Sequence, residues 1–478
     1  MIKQTLGGIY MSQKTNSTYV RPFGLRDKLG YLFGDFANDF TFLLSSSWLL
    51  KFYTDVMGLD AYVVGIVMAV ARIIDAFTDV TMGRICDKSK TTPAGKFKPW
   101  LRRMCGPVAI SSFLIYQSAF ADWSEPAKIA WLTVTYILWG SIFYTSVNIP
   151  YGSMASAISP EAGDRQSLST FRSIGGVLAG VIVGAGIPLF AFTNDAAGNP
   201  ILDGGKFTIV AGIFSIGAVI CYLLCYYLTT ERVKTDPVVR EDGKKDTFID
   251  LFKRAFKNRS LISIIAASIV MLLAQLTMQQ MANYVYPNFY RNTTAQSAST
   301  IFMMGGMFIA GAFAKPLAAK FGKAEVAVFS NILAVVVNII LFIIRPANAW
   351  VYAGFQFISW LGLGMFTMVS WALITDVIDD MEVKNGIRED GSVYALYSWA
   401  RKLGQAASSS LTGVLLSIIG YTEATAFEPV VTEGIFNISV IVPAIGFALL
   451  ALILWFWYPL HKKTVDANIA FLKEKHSE

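Results

Sequence analysis

DAYVVGIVMAVARIIDAFTDVTMGRICDKSKTTPAGKFKPWLRR occupies residues 60–103. Its first part, 60–82, is an apolar run of the length a helix needs to cross a bilayer core of about 30 Å. Its second part is basic, with Arg84, Lys88, Lys90, Lys96, Lys98, Arg102 and Arg103. An apolar span that ends in a basic cluster is the unit of a polytopic membrane protein, because basic loops stay cytoplasmic. The span also holds Arg72, Asp75 and Asp79, and charges inside a bilayer need a partner, a water-filled cavity or a task.

Working outward, apolar runs recur at 29–53, 60–82, 104–120, 129–151, 168–191, 207–228, 260–287, 299–314, 325–344, 350–374, 392–420 and 434–458. The loops between them alternate in charge. Loops on one side hold only Lys128, Lys206, Arg291 and Arg345, whereas the clusters around residues 84–103 and 232–259 lie on the other side. This asymmetry predicts an even number of spans with both termini in the cytoplasm. The sequence therefore predicts an all-α membrane protein of twelve transmembrane helices. It divides into a cytoplasmic N-terminal segment (1–28), a six-helix bundle (29–228), a basic cytoplasmic loop (229–259), a second six-helix bundle (260–458) and a cytoplasmic tail (459–478). Phe248, Leu251, Phe252 and Phe256 share a face of Thr247–Arg259, and Val465, Ile469 and Leu472 a face of Thr464–His476. Both segments are expected to be amphipathic helices on the membrane surface.

Composition agrees. Of 478 residues, 54% are hydrophobic and 15% charged, against roughly 25% charged in soluble domains. The formal net charge of +7 resides in alternate loops and calls for no nucleic acid. None of the four cysteines falls in a far-side loop, so no disulfide framework is expected. Cys221 and Cys225 are one turn apart but have no histidine near them to complete a metal site. The two histidines, His461 and His476, lie in the tail, and no nucleophile motif stands out, so the chain does not read as an enzyme and needs no cofactor. Residues 1–28 are polar and the first apolar run has no cleavage site, which makes that run a retained helix.

The charges within the spans carry the functional reading. The first span contains Asp35 and Asp39, the fifth Arg172, and the eleventh Arg401 and Lys402. Lys51, at the outer end of the first span, is expected to snorkel to the interface. Asp75 and Asp79 are one helical turn apart and share a face. Two such carboxylates repel unless a cation, a proton or a base lies between them, so the pair is a candidate site for H⁺ or Na⁺. For Na⁺ the two acids would be the metal ligands, with Thr78 and Thr145 as neutral oxygens. The same acids would also be satisfied as buried ion pairs with Arg72, Arg401 or Lys402. Asp39 and Arg172 suit bidentate bonding to neighbouring sugar hydroxyls. Tyr144, Trp371, Tyr394 and Trp399 are available as apolar platforms.

GDFANDF (34–40), YTDVMGL (53–59), ARIIDAFTDVTMG (71–83), GKFKPW (95–100), YILWG (136–140), NIPYGS (148–153), DRQSLSTFRS (164–173) and TDVIDD (375–380) occur in order along nearly the whole chain. In these motifs the sequence resembles the glycoside–pentoside–hexuronide cation symporters. That resemblance implies a major-facilitator fold and symport of a sugar or glycoside with H⁺, Na⁺ or Li⁺ across the bacterial cytoplasmic membrane. It implies sugar binding by Asp39 and Arg172, a cation site at Asp75, Asp79 and Thr145, and Lys402 beside that site. There are departures. Asn148 stands where melibiose-type members have a second sugar-binding acid, Gly152 replaces a tryptophan platform, and Thr78 replaces an asparagine of the cation site. With the extra base Arg401, these changes leave room for an anionic glycuronide. GRICD, with Gly83 and Asp87, resembles the general major-facilitator gating loop, where glycine allows close helix approach and the acid pairs with bases of the inner gate. Two other readings are a lipid or lysolipid carrier on the same fold and a membrane sensor. The polar groups at 39, 148 and 172 argue against the first. The lack of any segment long enough for a soluble output domain argues against the second.

Overall fold

A computed structural model describes residues 21–233, 258–385 and 390–477. Among them, twelve long helices run in alternate directions. They are α1 (Leu25–Leu43, continued by the π-helical turn Leu44–Trp48 and Leu49–Asp55), α2 (Ala61–Lys88), α3 (Lys98–Ile115), α4 (Glu125–Ile137, the π turn Leu138–Tyr144 and Thr145–Ile158), α5 (Ala162–Phe190) and α6 (Gly204–Leu228). The second six are α7 (Arg259–Tyr284 with the π turn Val285–Phe289), α8 (Thr293–Phe321), α9 (Lys323–Ile344), α10 (Ala349–Asn385), α11 (Asp390–Ile418) and α12 (Pro429–Leu452 with the π turn Ile453–Trp457). A final helix, α13 (Lys462–Ser477), matches the amphipathic tail segment, and β1 (Phe192–Asn194) pairs antiparallel with β2 (Pro200–Leu202) between α5 and α6. The amphipathic segment expected at Thr247–Arg259 falls outside the described residues except for its last two. The protein is thus an all-α membrane protein of the major-facilitator fold, with six helices in each of two bundles.

Side chains at the loop ends start several helices. Asp60 accepts from the backbone N–H of Tyr62, Asp203 from Lys206 and Asn292 from Ala295, each filling one orphan donor of a first turn. Glu231 makes a stronger clasp. Its carboxylate accepts from the N–H groups of Lys96 (2.6 Å), Phe97 (2.9 Å) and Lys98 (2.7 Å), which fixes the GKFKPW turn at the start of α3. Polar pairing also carries α10 past the end of its apolar run at 374. Lys323 bonds Asp376, while Asp380 accepts from Ser260 Oγ at 2.8 Å and from Lys384 Nζ at 2.7 Å. The acids of TDVIDD therefore lie in a helix, not in a loop.

Among the described residues, seven helices, α5 to α10 and α12, are long and apolar enough to cross a membrane by composition alone. The rest include α1, α2 and α11, which carry intramembrane charges. Ile209, Ile213, Ile216 and Ile220 form an exposed stripe on α6, and Phe329, Leu333 and Val336 another on α9, as lipid-facing surfaces require. The bundles meet along α2 with α11 and along α5 with α8. At the first contact Gly413 lies so close to α2 that a Cβ there would sit 2.3 Å from the Ala61 carbonyl oxygen, the small-residue packing usual between membrane helices.

Both described chain ends lie at one face, termed here the terminal face. At the opposite, far face, Lys51 is 1% exposed. Its ammonium donates to Asn288 Oδ1 and to the Tyr421 hydroxyl, both at 2.8 Å, and pairs with Asp55 at 2.7 Å. Tyr421 in turn donates to Asp55 at 2.8 Å. Lys51 does not snorkel. It is drawn inward because the ends of α1, α7 and α11 offer it three oxygens and the face of the Tyr284 ring, 4.5 Å from Nζ. These contacts tie the two bundles together at the far face. At the terminal face Asp27 pairs with Arg21 and Arg232 within the first bundle, and Asp376 with Lys323 within the second.

Candidate substrate and cation site

The charged residues of the spans gather into two neighbouring groups. In the first, Arg172 of α5 donates through Nε to Asp35 Oδ1 of α1 at 2.8 Å. The sequence reading sets Asp39 and Arg172 on one cavity; the structure gives the arginine an ion pair with Asp35, one turn nearer the terminal face. Asp39 is still part of the group. A Cβ on Gly176, one turn above Arg172, would lie 2.8 Å from an Asp39 oxygen and 3.1 Å from one of Asp35. Two carboxylates and one guanidinium thus share the α1–α5 seam, and no ion pair to Asp39 is seen among the described residues.

The Arg172 guanidinium also sits over the Tyr151 ring, 5.3 Å from its centroid, and Tyr151 stacks on Tyr31 at 4.6 Å. Tyr151 donates to the Tyr31 carbonyl at 2.6 Å, so α1 and α4 are clasped directly beneath the arginine. The Arg172 side chain keeps 42% of its surface open. Asn148 is half-buried on α4, and a Cβ on Gly152 would meet nothing within 4 Å.

The second group lies between α2, α4 and α11. Asp75 pairs with Arg72 at 3.2 Å and accepts a short hydrogen bond from Ser141. Asp79 accepts from Thr145 Oγ1 at 2.8 Å and pairs closely with Lys402, whose ammonium also reaches the Asp75 carbonyl at 3.2 Å. The Thr78 hydroxyl donates to the same carbonyl at 3.2 Å. The two acids therefore do not form a bare acidic face: each has its own base. Arg401, the neighbouring base, points elsewhere, 5.9 Å from the centroids of Trp371 and Tyr397.

The π turn Leu138–Tyr144 makes this arrangement possible. The extra residue in that turn brings Ser141 onto Asp75 and sets Gly140 where a Cβ would be 3.3 Å from Asp75 Oδ1. Thr145 Oγ1 fills the gap in the ladder by bonding the Gly140 carbonyl at 3.1 Å. Such turns are frequent at functional sites, and no pattern in the sequence gives them away. Arg72 is boxed by Phe42, Tyr136 and Trp139, with ring centroids 5.1, 5.8 and 5.9 Å away. Phe42 lies one turn beyond Asp39 and stacks on Tyr144 at 5.9 Å, so aromatic contact links the two charged groups. Ser141, Phe42 and Trp139 escape a reading based on charge, although Ser141 directly follows the YILWG motif.

Other expected residues lie apart. Trp371 is 48% exposed and packs edge-on against Tyr397, not against Arg172. Tyr394 belongs to α11, with its side chain outside the described residues. Gly83 makes no close helix approach, since a Cβ there would meet nothing within 4 Å. Asp87 is exposed, and what is bonded is its backbone carbonyl, by Lys96 Nζ at 3.1 Å. Among the described residues no group of three metal-ligating side chains occurs.

Two bundles sealed at one face around a charged centre define a transporter of the major-facilitator fold. The chain belongs to the family described as MFS/sugar transport protein, whose profile matches residues 30–462. It is a transporter and not an enzyme. It is 31% identical over 439 residues to an uncharacterized symporter, YjmB, of Bacillus subtilis (strain 168), covering 91% of this chain and 92% of that one. It is 30% identical over 459 residues to a putative sulfoquinovose importer of Escherichia coli (strain K12), covering 95% of each. Among solved structures, that of a D-xylose–proton symporter superposes with a TM-score of 0.62 at 15% identity, covering 91% of this chain and 97% of the other.

Proposed function

We propose that the protein is a sugar– or glycoside–cation symporter of the bacterial cytoplasmic membrane, working by alternating access with the terminal face in the cytoplasm. The observation that carries this reading is the placing of a carboxylate–guanidinium group on α1 and α5 next to a second, base-paired acid group between α2, α4 and α11, the two linked by the stacking of Phe42 of α1 on Tyr144 of α4. The first group, Asp35, Asp39 and Arg172 with Asn148, suits adjacent hydroxyls. The second, Asp75 and Asp79 with Thr145 and Lys402, suits a cation. The relatedness to an importer named for a sulfonated sugar supports a carbohydrate as cargo. The bundles would be 29–228 and 260–458, with 1–28, 229–259 and 459–478 cytoplasmic.

In this reading the far-face seal makes the present conformation inward-facing, after release of the cation. Lys402 then occupies the place of the cation beside Asp79. When the far face opens, a cation that neutralises Asp79 frees Lys402 and lets the seam of α1, α4 and α5 close on the sugar. Such coupling is reciprocal. The cation we favour is H⁺. Asp75 is already satisfied by Arg72 and Ser141, and the Thr78 hydroxyl turns to a backbone carbonyl. Asp79 and Thr145 alone make a sparse oxygen shell for a hard metal ion. One charge moving through 100 mV supplies about 2.3 kcal/mol, enough for roughly 50-fold accumulation. The test is counterflow in proteoliposomes with a panel of glycosides, with pH and Na⁺ varied separately. Exchange of at least one sugar is expected, and failure of the whole panel would remove the reading.

A further inference from the structure

A cavity of about 470 Å³ lies at the terminal face, within the volume range of small-molecule sites. Its walls come from α8, the start of α9, α10 and α13. It therefore belongs to the second bundle and its tail alone, apart from the space between the bundles and from both charged groups. Gly311, Ala314 and Ala318 give it only small side chains from α8, and Met368 and Ala372 line it from α10. The tail helix closes it with Val465 and Ile469, two of the three residues of its apolar face. The third, Leu472, is buried, whereas Ile469 is 38% exposed, so protein covers only part of that face.

The charges on the walls do not cancel. Lys315, Lys323 and Lys462 share them with Asp376 and Asp466. Lys323 pairs with Asp376 at 2.5 Å and Lys462 with Asp466 at 3.0 Å. Lys315 is exposed and has no ion pair among the described residues, so the cavity keeps an excess positive charge. Lys315 also ends an apolar row. Ile301, Phe308 and Lys315 follow one another at seven-residue steps, close to two turns each, and so share one edge of α8. Ile301 and Phe308 are 50% and 60% exposed. The edge they form runs from Lys315 toward the far face for about 20 Å, against about 15 Å for one half of a bilayer core. Basic pockets at the membrane surface bind the headgroups of anionic lipids. Here such a pocket opens onto a track long enough for an acyl chain.

We propose that this cavity binds an anionic phospholipid, with the headgroup phosphate at Lys315 and Lys462 and an acyl chain along Phe308 and Ile301. A soluble anion would meet the same lysines but would leave the apolar edge and Ile469 uncovered. The bound lipid joins α13 to α8 and α10, so the docking of the tail depends on the lipid present. None of this depends on which solute the protein carries. The experiment uses the full-length protein in detergent micelles, titrated separately with dioleoylphosphatidylglycerol, dioleoylphosphatidylcholine and inorganic phosphate. Thermal unfolding gives the concentration at half-maximal shift, and native mass spectrometry counts the lipid bound. Phosphatidylglycerol is expected to act at a lower concentration than phosphatidylcholine, and phosphate to have no effect. Lys315→Gln and Lys462→Gln are each expected to need about fivefold more phosphatidylglycerol, the share of one lysine near an anionic surface. Both should fold, since Lys315 is exposed and the bond from Lys462 to Glu325 Oε1 comes from its backbone N–H. Lys320→Gln removes the same charge from α8 outside the cavity walls and is expected to behave as the wild type. Equal responses to the two lipids, wild-type behaviour of both cavity variants, or an equal loss in Lys320→Gln would overturn the proposal. So would a phosphate response that matches phosphatidylglycerol, which would make the site one for a soluble anion.

Discussion

Lys51 in α1 donates to Asn288 in α7 across 2.8 Å, and this buried bond joins the two bundles at the far face. Tyr421 and Asp55 complete the latch, so Lys51 is held by one oxygen of its own helix and by two from the other bundle, in α7 and in the turn after α11. Opening the far face must break the bonds that cross between bundles.

Lys51→Met should therefore shift the protein away from the sealed state. Hydrogen bonds to a charged group are worth about 1.5–3 kcal/mol, which predicts a roughly 10- to 100-fold rise in the population open at the far face. A cysteine at Ser47, just inside the latch, should be alkylated faster by an impermeant maleimide applied to that face when Lys51 is replaced. Equal rates in both backgrounds would show that the latch does not hold the seal.

The orientation of the chain rests on its basic loops. A cysteine in place of Lys90 should react only with reagent supplied from the cytoplasmic side. Labelling from outside intact cells would reverse the assignment of the terminal face.

Much of the fold was legible because lipid imposes it. Twelve apolar runs and alternate basic loops follow from bilayer thickness and the cost of charge, and they recover the order of the helices. Local pairing was legible only in part. The run ending at 374 gave no sign that α10 continues to Asn385, because its polar end is stabilised by Lys323 and Ser260, which are distant in sequence. The residues of the charged groups were found by type, and Arg72 and Lys402 were among the bases expected to pair with the acids of α2, but the pairing of Arg172 was not. Arg172 bonds Asp35, a contact that the sequence did not single out, and Ser141 reaches Asp75 only through a π turn. Lys51 looked like a snorkelling residue because two of its three oxygens, those of Asn288 and Tyr421, come from the other bundle.

Glu231 offers a test of how the GKFKPW turn is held. Burial pushes its carboxyl above the usual glutamate value, partly offset by the three backbone N–H donors. Between the unfolded and the raised folded value, the folded protein binds more protons than the unfolded one. Stability should then fall as pH rises through that window. Thermal unfolding in detergent should show this slope in the wild type and lose it in Glu231→Gln. Glu231→Ala, which frees three donors, should cost about 2–4 kcal/mol. Identical pH profiles for wild type and Glu231→Gln would rule the account out.

At the sugar end, Asp39→Asn and Arg172→Lys should abolish sugar binding while the protein still elutes as a folded species. Lysine cannot copy a planar guanidinium that bonds Asp35 and covers Tyr151 at once. Normal affinity in either variant, read by counterflow, would place the sugar elsewhere.

The central claim is that Asp75 and Asp79 hold the coupling cation next to, but separate from, the sugar group. Asp79→Asn removes the charge that both Lys402 and the cation compensate, yet leaves Asp35, Asp39 and Arg172 in place. The decisive measurement is sugar uptake by energised vesicles beside sugar exchange at equilibrium, for wild type, Asp79→Asn and Asp75→Asn. Both variants should still exchange sugar down its gradient, should fail to concentrate it, and should lose the dependence on pH at fixed Na⁺ that the wild type shows. Concentrative uptake by both variants would contradict the account and reduce the two acids to structural partners of Arg72 and Lys402.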